Sequence, residues 1–310
     1  MDMEIGGYFG LEKFMGSEYY PKLFALNTGR NALACLIHAK CIKKLYIPSY
    51  LCDAVFKVCE REGCSYEFYE IGKDFRPRFE RNLDDGEWIY IVNYFGQILD
   101  EKELKERYGQ IIFDNAQAFF QEPAEGINTI YSCRKFFGVP DGAYLASEDT
   151  PELPRDISKD RMTHILGRYE GTASEYYMDF NNNDESFYNL IPKSMSRLSH
   201  NILRAIDYKR VKEKREENFS FLHEQLKNEN RLSILRPVGP YMYPFYIEDG
   251  LEVKRKLIAK DIYIPTLWPQ AIAFGGIAKD YSENILPLPC DQRYSFLEMQ
   301  TVVDAVHDFL

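Results

Sequence analysis

The chain has 310 residues, 45% of them apolar, with a formal net charge of −10 and a pI of about 5.2. That length supports a large core and two domains, and that apolar share excludes a disordered chain. The acidic balance excludes the basic face that nonspecific nucleic-acid binding requires, but not a local positive site for a phosphate-bearing small molecule. The 23 Tyr and 21 Phe predict an aromatic-rich core and cleft. No apolar stretch approaches the roughly 20 residues that span a bilayer. The segment Met1–Gly7 is acidic and lacks the apolar centre of a signal peptide, so the expectation is a cytoplasmic protein.

In chain order, residues 29–41 read as a helix, with Asn27 and Thr28 as cap types before Gly29 and with Leu33, Leu36 and Ile37 at helical spacing. Lys44–Pro48 reads as a strand, Cys52–Glu62 as a helix stopped by Gly63, and Ser65–Ile71 as a strand. The run Trp88-Ile89-Tyr90-Ile91-Val92 is apolar throughout, as in a parallel strand buried on both faces. Asp100 caps a charged helix through Tyr108, and Gln110–Phe113 is the next strand. Thr129–Tyr131 and Ala143–Leu145 are further strands. This alternation from 29 to about 146 is the signature of an open α/β sheet, which binds ligands at the carboxyl ends of its strands. Residues 150–193 read as an irregular excursion or lid, and 194–228 as one long helix. From 229 the pattern changes to strand Pro244–Ile247, helix 250–260, strand Ile262–Ile264 and a closing helix 296–309. The expected domains are a large α/β unit (1–193), a connecting helix (194–228) and a small C-terminal α+β unit (229–310).

Three sets of residues could carry chemistry. Lys135, in Ser132-Cys133-Arg134-Lys135-Phe136-Phe137, is a primary amine among aromatics. Burial against Tyr131, Phe136 and Phe137 would ease loss of its proton and allow Schiff-base and general acid–base chemistry. Asp114 follows the apolar run Ile111–Phe113; it is either a turn cap or a carboxylate for a protonated pyridine nitrogen. Thr28-Gly29-Arg30 opens a helix whose backbone N–H groups could hold a phosphate, with the Thr28 and Ser132 hydroxyls adding to them. A pyridoxal 5'-phosphate (PLP) enzyme needs these three elements: an amine for the aldimine, a carboxylate for the ring nitrogen and a phosphate cradle. Gln117 could reach the ring oxygen O3′.

Other groups read more blandly. The seven cysteines include no CxxC pair, and the Cys35/His38/Cys41 face reads as packing rather than a metal site, so no metal is expected. Trp268 reads as packing or a substrate platform, Arg293 as a carboxylate reader or a salt bridge, and Cys133 as packing.

Taken together these motifs resemble the DegT/DnrJ/StrS-type sugar aminotransferases, of the aspartate-aminotransferase fold (fold type I). The resemblance also rests on Gly6-Gly7-Tyr8-Phe9, Asn31-Ala32-Leu33, Pro48-Ser49-Tyr50, Asn93-Tyr94-Phe95-Gly96, Asp114-Asn115-Ala116-Gln117-Ala118, Asp141-Gly142 and Leu286–Tyr294. It implies PLP as cofactor and Lys135 as the aldimine lysine. It implies Asp114 at the ring nitrogen, Gln117 at O3′ or the ring face, and Thr28, Gly29, Arg30 and Ser132 at the phosphate. The aromatic that commonly covers the ring falls here near Cys52, with Tyr50 two residues earlier, so either Tyr50 stacks or the Cys52 sulfur covers the ring. The Ser-to-Lys spacing is two residues shorter than in the better-known sugar enzymes. No clear match exists for the Asn-x-Arg segment that such enzymes donate across their dimer; Asn181–Asn183 is the nearest. The implied function is transfer of an amino group from an amino acid such as glutamate to a keto-sugar nucleotide or related keto compound, in a homodimer with its site at the interface. Another PLP reaction on the same scaffold, or a non-catalytic binding or regulatory protein, stands beside it.

Overall fold

Apolar runs and turn residues set the element order directly. The computed structural model describes residues 5–310, and the acidic residues 1–4 read above lie outside them. Strand β1 (Phe24–Leu26) enters helix α1 (Gly29–Ala39) through Asn27 and Thr28. There follow β2 (Lys44–Pro48), α2 (Asp53–Glu62), β3 (Ser65–Ile71), β4 (Pro77–Arg78), β5 (Glu87–Val92), α3 (Glu101–Tyr108), β6 (Ile111–Asp114), β7 (Asn128–Ser132) and β8 (Ala143–Ala146). Gly63 ends α2 in the left-handed region at φ 67°, where a glycine carries no side-chain penalty.

One sheet holds these strands in the order β1-β8-β7-β6-β5-β2-β3-β4. The pairs β3–β2–β5–β6–β7 are parallel, while β7–β8, β8–β1 and β3–β4 are antiparallel. Trp88 to Val92 are buried, as a strand with parallel neighbours on both sides requires. In the β6–β7 register Asp114 faces Ile130, so Asp114 and Ser132 emerge at the same carboxyl edge.

The excursion 150–193 is more ordered than its sequence suggests. It contains α4 (Thr163–Glu170) and α5 (Tyr177–Ser186). These helices rest on tertiary contacts rather than on an apolar stripe: His164 meets Phe180 ring to ring at 5.8 Å, and Asp184 pairs with two arginines of the main sheet unit. The expected helix 194–228 is two helices, α6 (Arg197–Leu203) and α7 (Tyr208–Leu226). Each has its own cap: Ser196 accepts from the Ser199 N–H at 3.2 Å and Asp207 from the Arg210 N–H at 3.0 Å.

The C-terminal elements are β9 (Met242–Tyr246), α8 (Gly250–Ile258), α9 (Gly276–Asn284), β10 (Ile285–Pro289) and α10 (Phe296–His307). The partner of β9 is β10, not Ile262–Ile264, which form no strand although Ile264 is buried. Phe219, Leu222 and Leu226 of α7 join Tyr243, Phe245, Leu286, Leu288 and Val302 in a separate apolar core. No helix among the described residues is long and apolar enough to cross a membrane.

Candidate active site

A cavity of about 610 Å³ opens at the carboxyl edge of the parallel strands. The sheet unit contributes Thr28, Gly29, Arg30, Cys52, Asp114, Ala116, Ser132, Arg134 and Lys135. Helix α5 contributes Phe180, Asn181 and Asp184, and the C-terminal unit Tyr241, Thr266, Trp268 and Arg293. Lys135, Asp114 and the start of α1, far apart in sequence, therefore share one space.

The start of α1 is locked. Thr28 is extended (φ −148°, ψ 157°) and its Oγ1 accepts from the Asn31 N–H at 3.1 Å. Asn31 Nδ2 donates to Asn27 Oδ1 at 2.9 Å and to the Ile191 carbonyl at 3.0 Å, and the Asn27 N–H donates to the Lys193 carbonyl at 2.9 Å. A Cβ on Gly29 would meet only Ile130 Cγ2 at 3.6 Å, an ordinary contact, so packing within the chain does not demand glycine there.

Both oxygens of Asp114 are held. Oδ1 accepts from the Ala116 N–H at 2.8 Å and Oδ2 from the Tyr90 hydroxyl at 2.8 Å. Burial raises this carboxyl above its ordinary pKa, against the opposing pull of Lys135, the Ala116 N–H and Tyr90. Lys135 is not buried among aromatics as expected; its side chain is exposed on the cavity wall, with Nζ 5.7 Å from the Tyr241 ring centre. Tyr131, Phe136 and Phe137 instead pack behind it with Phe119, Phe120 and Tyr144. That aromatic block leaves the amine facing the cavity.

Two arginines flank the α1 start. Arg30 and Arg134 each pair with Asp184, at 3.0 and 3.1 Å. Nothing in the local sequence marks Asp184, Tyr90 or Arg215 as site residues. Arg215 is fully buried at the cavity floor and donates to the carbonyls of Pro240 at 2.8 Å and Phe136 at 3.4 Å. Its place in a charged helix run hid it, since the run reads as a solvated face.

Two expected contacts lie away from the cavity. Tyr50 is buried in an aromatic cluster, stacked on Tyr94 at 5.4 Å and edge-on to Trp268 at 4.7 Å. Cys52 takes the wall position, its thiol raised by burial and pulled back by the Ala54 backbone, Lys135 and Arg30. Gln117 is buried and its Oε1 accepts from the Phe95 N–H at 2.9 Å, which ties it to the left-handed turn at Phe95 (φ 53°). Arg293 is a salt bridge partner: Nε and Nη2 clasp both oxygens of Asp291 at 2.7 and 2.8 Å. His38 pairs with Glu62 at 2.6 Å, Cys35 is buried and Cys41 is exposed, so these three do not converge. Among the described residues, no His, Cys, Asp and Glu cluster is arranged to hold a metal.

No protein-family model matches the chain, and no curated protein matches it. Solved structures do. The chain is similar to a DegT DnrJ EryC1 StrS aminotransferase from Brucella abortus, 17% identical over 93% of this chain and 85% of that one, with a TM-score of 0.64. It is similar to the sugar aminotransferase CalS13 from Micromonospora echinospora, 13% identical over 94% and 88%, with a TM-score of 0.63. It is also similar to NtdA from Bacillus subtilis with bound cofactor PMP, 14% identical over 92% and 72%, with a TM-score of 0.66. The chain thus has the fold of these aminotransferases, fold type I, with its large mostly parallel sheet.

Proposed function

We propose that this protein is a PLP-dependent aminotransferase of the DegT/DnrJ/StrS type, moving an amino group from an amino acid, glutamate among the candidates, to a keto-sugar nucleotide or related keto compound. The observation that carries this reading is the convergence of Lys135, Asp114 and the α1 start in one cavity of a fold type I chain. Two of the similar structures are described as aminotransferases, and the third, NtdA, has the cofactor PMP bound.

The donor set fits the cofactor. Thr28, Gly29 and Arg30 at the α1 start, with Ser132 across from them, would hold the phosphate. Asp114 would hold the positive charge of the ring nitrogen, its two oxygens kept in place by Tyr90 and Ala116. Cys52 rather than Tyr50 would border the ring. When bound, PLP supplies the electron sink that stabilises negative charge at the substrate carbon. Lys135 would attach the cofactor and afterwards carry a proton at Nζ as base and acid. Phe180 and Trp268 line the cavity, and their apolar rings would help to keep water from that proton. We place the working unit as a cytoplasmic homodimer.

The test is direct. The protein is incubated with PLP, reduced with borohydride, and the labelled peptide is identified by mass spectrometry. Label on Lys135, with conversion of the bound cofactor by glutamate or another amino acid, supports the reading. No label on Lys135 overturns the cofactor assignment, and label without conversion by any amino acid leaves a binding protein.

A further inference from the structure

Helix α2 ends in a turn that brings two cysteines together. The Gly63 N–H donates to the Glu60 carbonyl at 3.3 Å, and the Cys64 N–H donates to the Cys59 carbonyl at 2.9 Å. These are the two bonds of a Schellman turn, in which the residue after the glycine packs its side chain on the residue five positions earlier. Those two positions are commonly apolar, and here both are cysteine. A direct backbone bond between the two residues keeps their Cα atoms within the roughly 7 Å that a disulfide spans. Hydrogen bonding between the thiols leaves the proton on Cys59 and lowers Cys64 below the ordinary thiol value, against the burial that raises it. No other two cysteines of the chain are five positions apart. Cys41 is exposed, Cys52 lines the cavity, and Cys35, Cys133 and Cys290 are buried.

We propose that Cys59 and Cys64 form a redox modification site, a dithiol that hydrogen peroxide closes to a disulfide and a small thiol reopens. Cys64 is buried, but Gly63 and Ser65 on either side of it are exposed, so a molecule as small as peroxide approaches it from solvent. The Cys64 thiolate attacks one peroxide oxygen and breaks the O–O bond, which gives a sulfenic acid; the departing hydroxide takes up the Cys64 proton and becomes water. The Cys59 sulfur then attacks the Cys64 sulfur and breaks its S–O bond, and the second hydroxide leaves as water with the Cys59 proton. Two thiols and one peroxide thus become one disulfide and two waters, with two electrons passing from sulfur to oxygen. The link ties the last turn of α2 to the start of β3. Tyr90, whose hydroxyl donates to Asp114, lies within electrostatic range of Cys59, so the pair stands behind the cavity wall rather than in it.

The full-length protein is treated with hydrogen peroxide, its remaining thiols are capped with N-ethylmaleimide, and it is digested with trypsin without reduction. Trypsin cuts after Lys57, Arg61 and Lys73, so the two cysteines fall in separate peptides. The expected result is a peptide pair joined through Cys59 and Cys64, lighter by two hydrogen atoms than the separate peptides and parted again by dithiothreitol. In Cys59→Ala, or in Cys64→Ala should the first variant not fold, the remaining thiol of the pair should form no link. Capping of both cysteines as complete after peroxide as before it overturns the proposal. So does Cys64 carrying oxygen without a link to Cys59, or a link that forms only once the protein is unfolded in urea.

Discussion

The guanidinium of Arg215 lies 4.6 Å from the Phe136 ring centre and donates to the carbonyl oxygen of that residue at 3.4 Å. Gln292 Nε2 donates to the same oxygen at 2.8 Å, and Arg215 Nε donates to Gln292 Oε1 at 2.7 Å. The Phe136–Phe137 peptide, one residue beyond Lys135, is therefore clamped from α7 and from the segment after β10. Burial lowers the Arg215 pKa, and Asp291 opposes that shift.

Arg215→Met keeps the length of the side chain and strips its donors. It leaves the Pro240 and Tyr241 carbonyls without their buried partner. We expect a loss of about 2–4 kcal/mol in urea denaturation, the cost of orphaned buried acceptors. Arg215→Lys should recover part of that stability while Lys135 labelling by PLP and borohydride stays slow, because the fork that holds Phe136 is gone. Labelling at the wild-type rate in both variants would show that the clamp does not position the lysine.

Gly29→Ala separates packing from binding. The added methyl meets only Ile130 Cγ2 at 3.6 Å. Thermal stability without ligand should stay within about 0.5 kcal/mol of wild type. Affinity for PLP should fall roughly tenfold, because the methyl stands where a phosphate would approach the backbone. A drop in stability with unchanged affinity would place the glycine in the fold rather than in the site.

Asp114→Asn has a pH signature. The folded protein binds the Asp114 proton more tightly than the unfolded chain, whose value is near 3.8. The stability this carboxyl contributes is fully present below the unfolded value and is lost as pH rises through the higher folded one. Asparagine has no such loss. Ligand-free Asp114→Asn should therefore gain on wild type in melting temperature as pH rises above the unfolded value near 3.8 and through the neutral range. The same variant should bind PLP weakly, since it removes the charge for the ring nitrogen. A stability difference that is flat across this range would mean that Asp114 is not a buried, destabilised carboxyl.

Asp141 anchors the far end of the Lys135 loop. Its carboxylate accepts from the Ser196 N–H at 3.0 Å, the Ser196 hydroxyl at 2.7 Å and the Ser199 hydroxyl, all buried. Asp141→Ala strands these donors and should cost about 3 kcal/mol or more in chemical denaturation. Ser199→Ala, which removes one donor and leaves the carboxylate its others, should cost about 1 kcal/mol.

What the sequence announced and what it hid divide along physical lines. The strands of the parallel sheet are short apolar runs, legible because burial on both faces leaves no polar alternation. That Thr28, Asp114, Ser132 and Lys135 share one cavity was legible because each lies at or just past an element end on the edge where such sheets bind ligands. Strand β10 was hidden by Pro287 and Pro289, which argue against a strand; in this two-stranded sheet Pro287 faces Pro244. Helix α5 was hidden because its polar run, with Asn181, Asn182, Asn183 and Asp184, shows no apolar stripe, and its support comes from Arg30 and Arg134, 154 and 50 residues away. Tyr50 and Cys52 could not be told apart from the sequence, since the choice depends on an aromatic cluster with Tyr94 and Trp268.

Of the two tryptophans, Trp88 is buried in β5, while Trp268 lines the cavity and meets Tyr50 edge-on. A Trp88→Phe protein would keep one indole, placed at the cavity wall. Its emission would report cavity occupancy by quenching and by spectral shift, with no need for turnover. The wall that lines the cavity is thus also an optical gauge, able to show a molecule entering before any bond in it has changed.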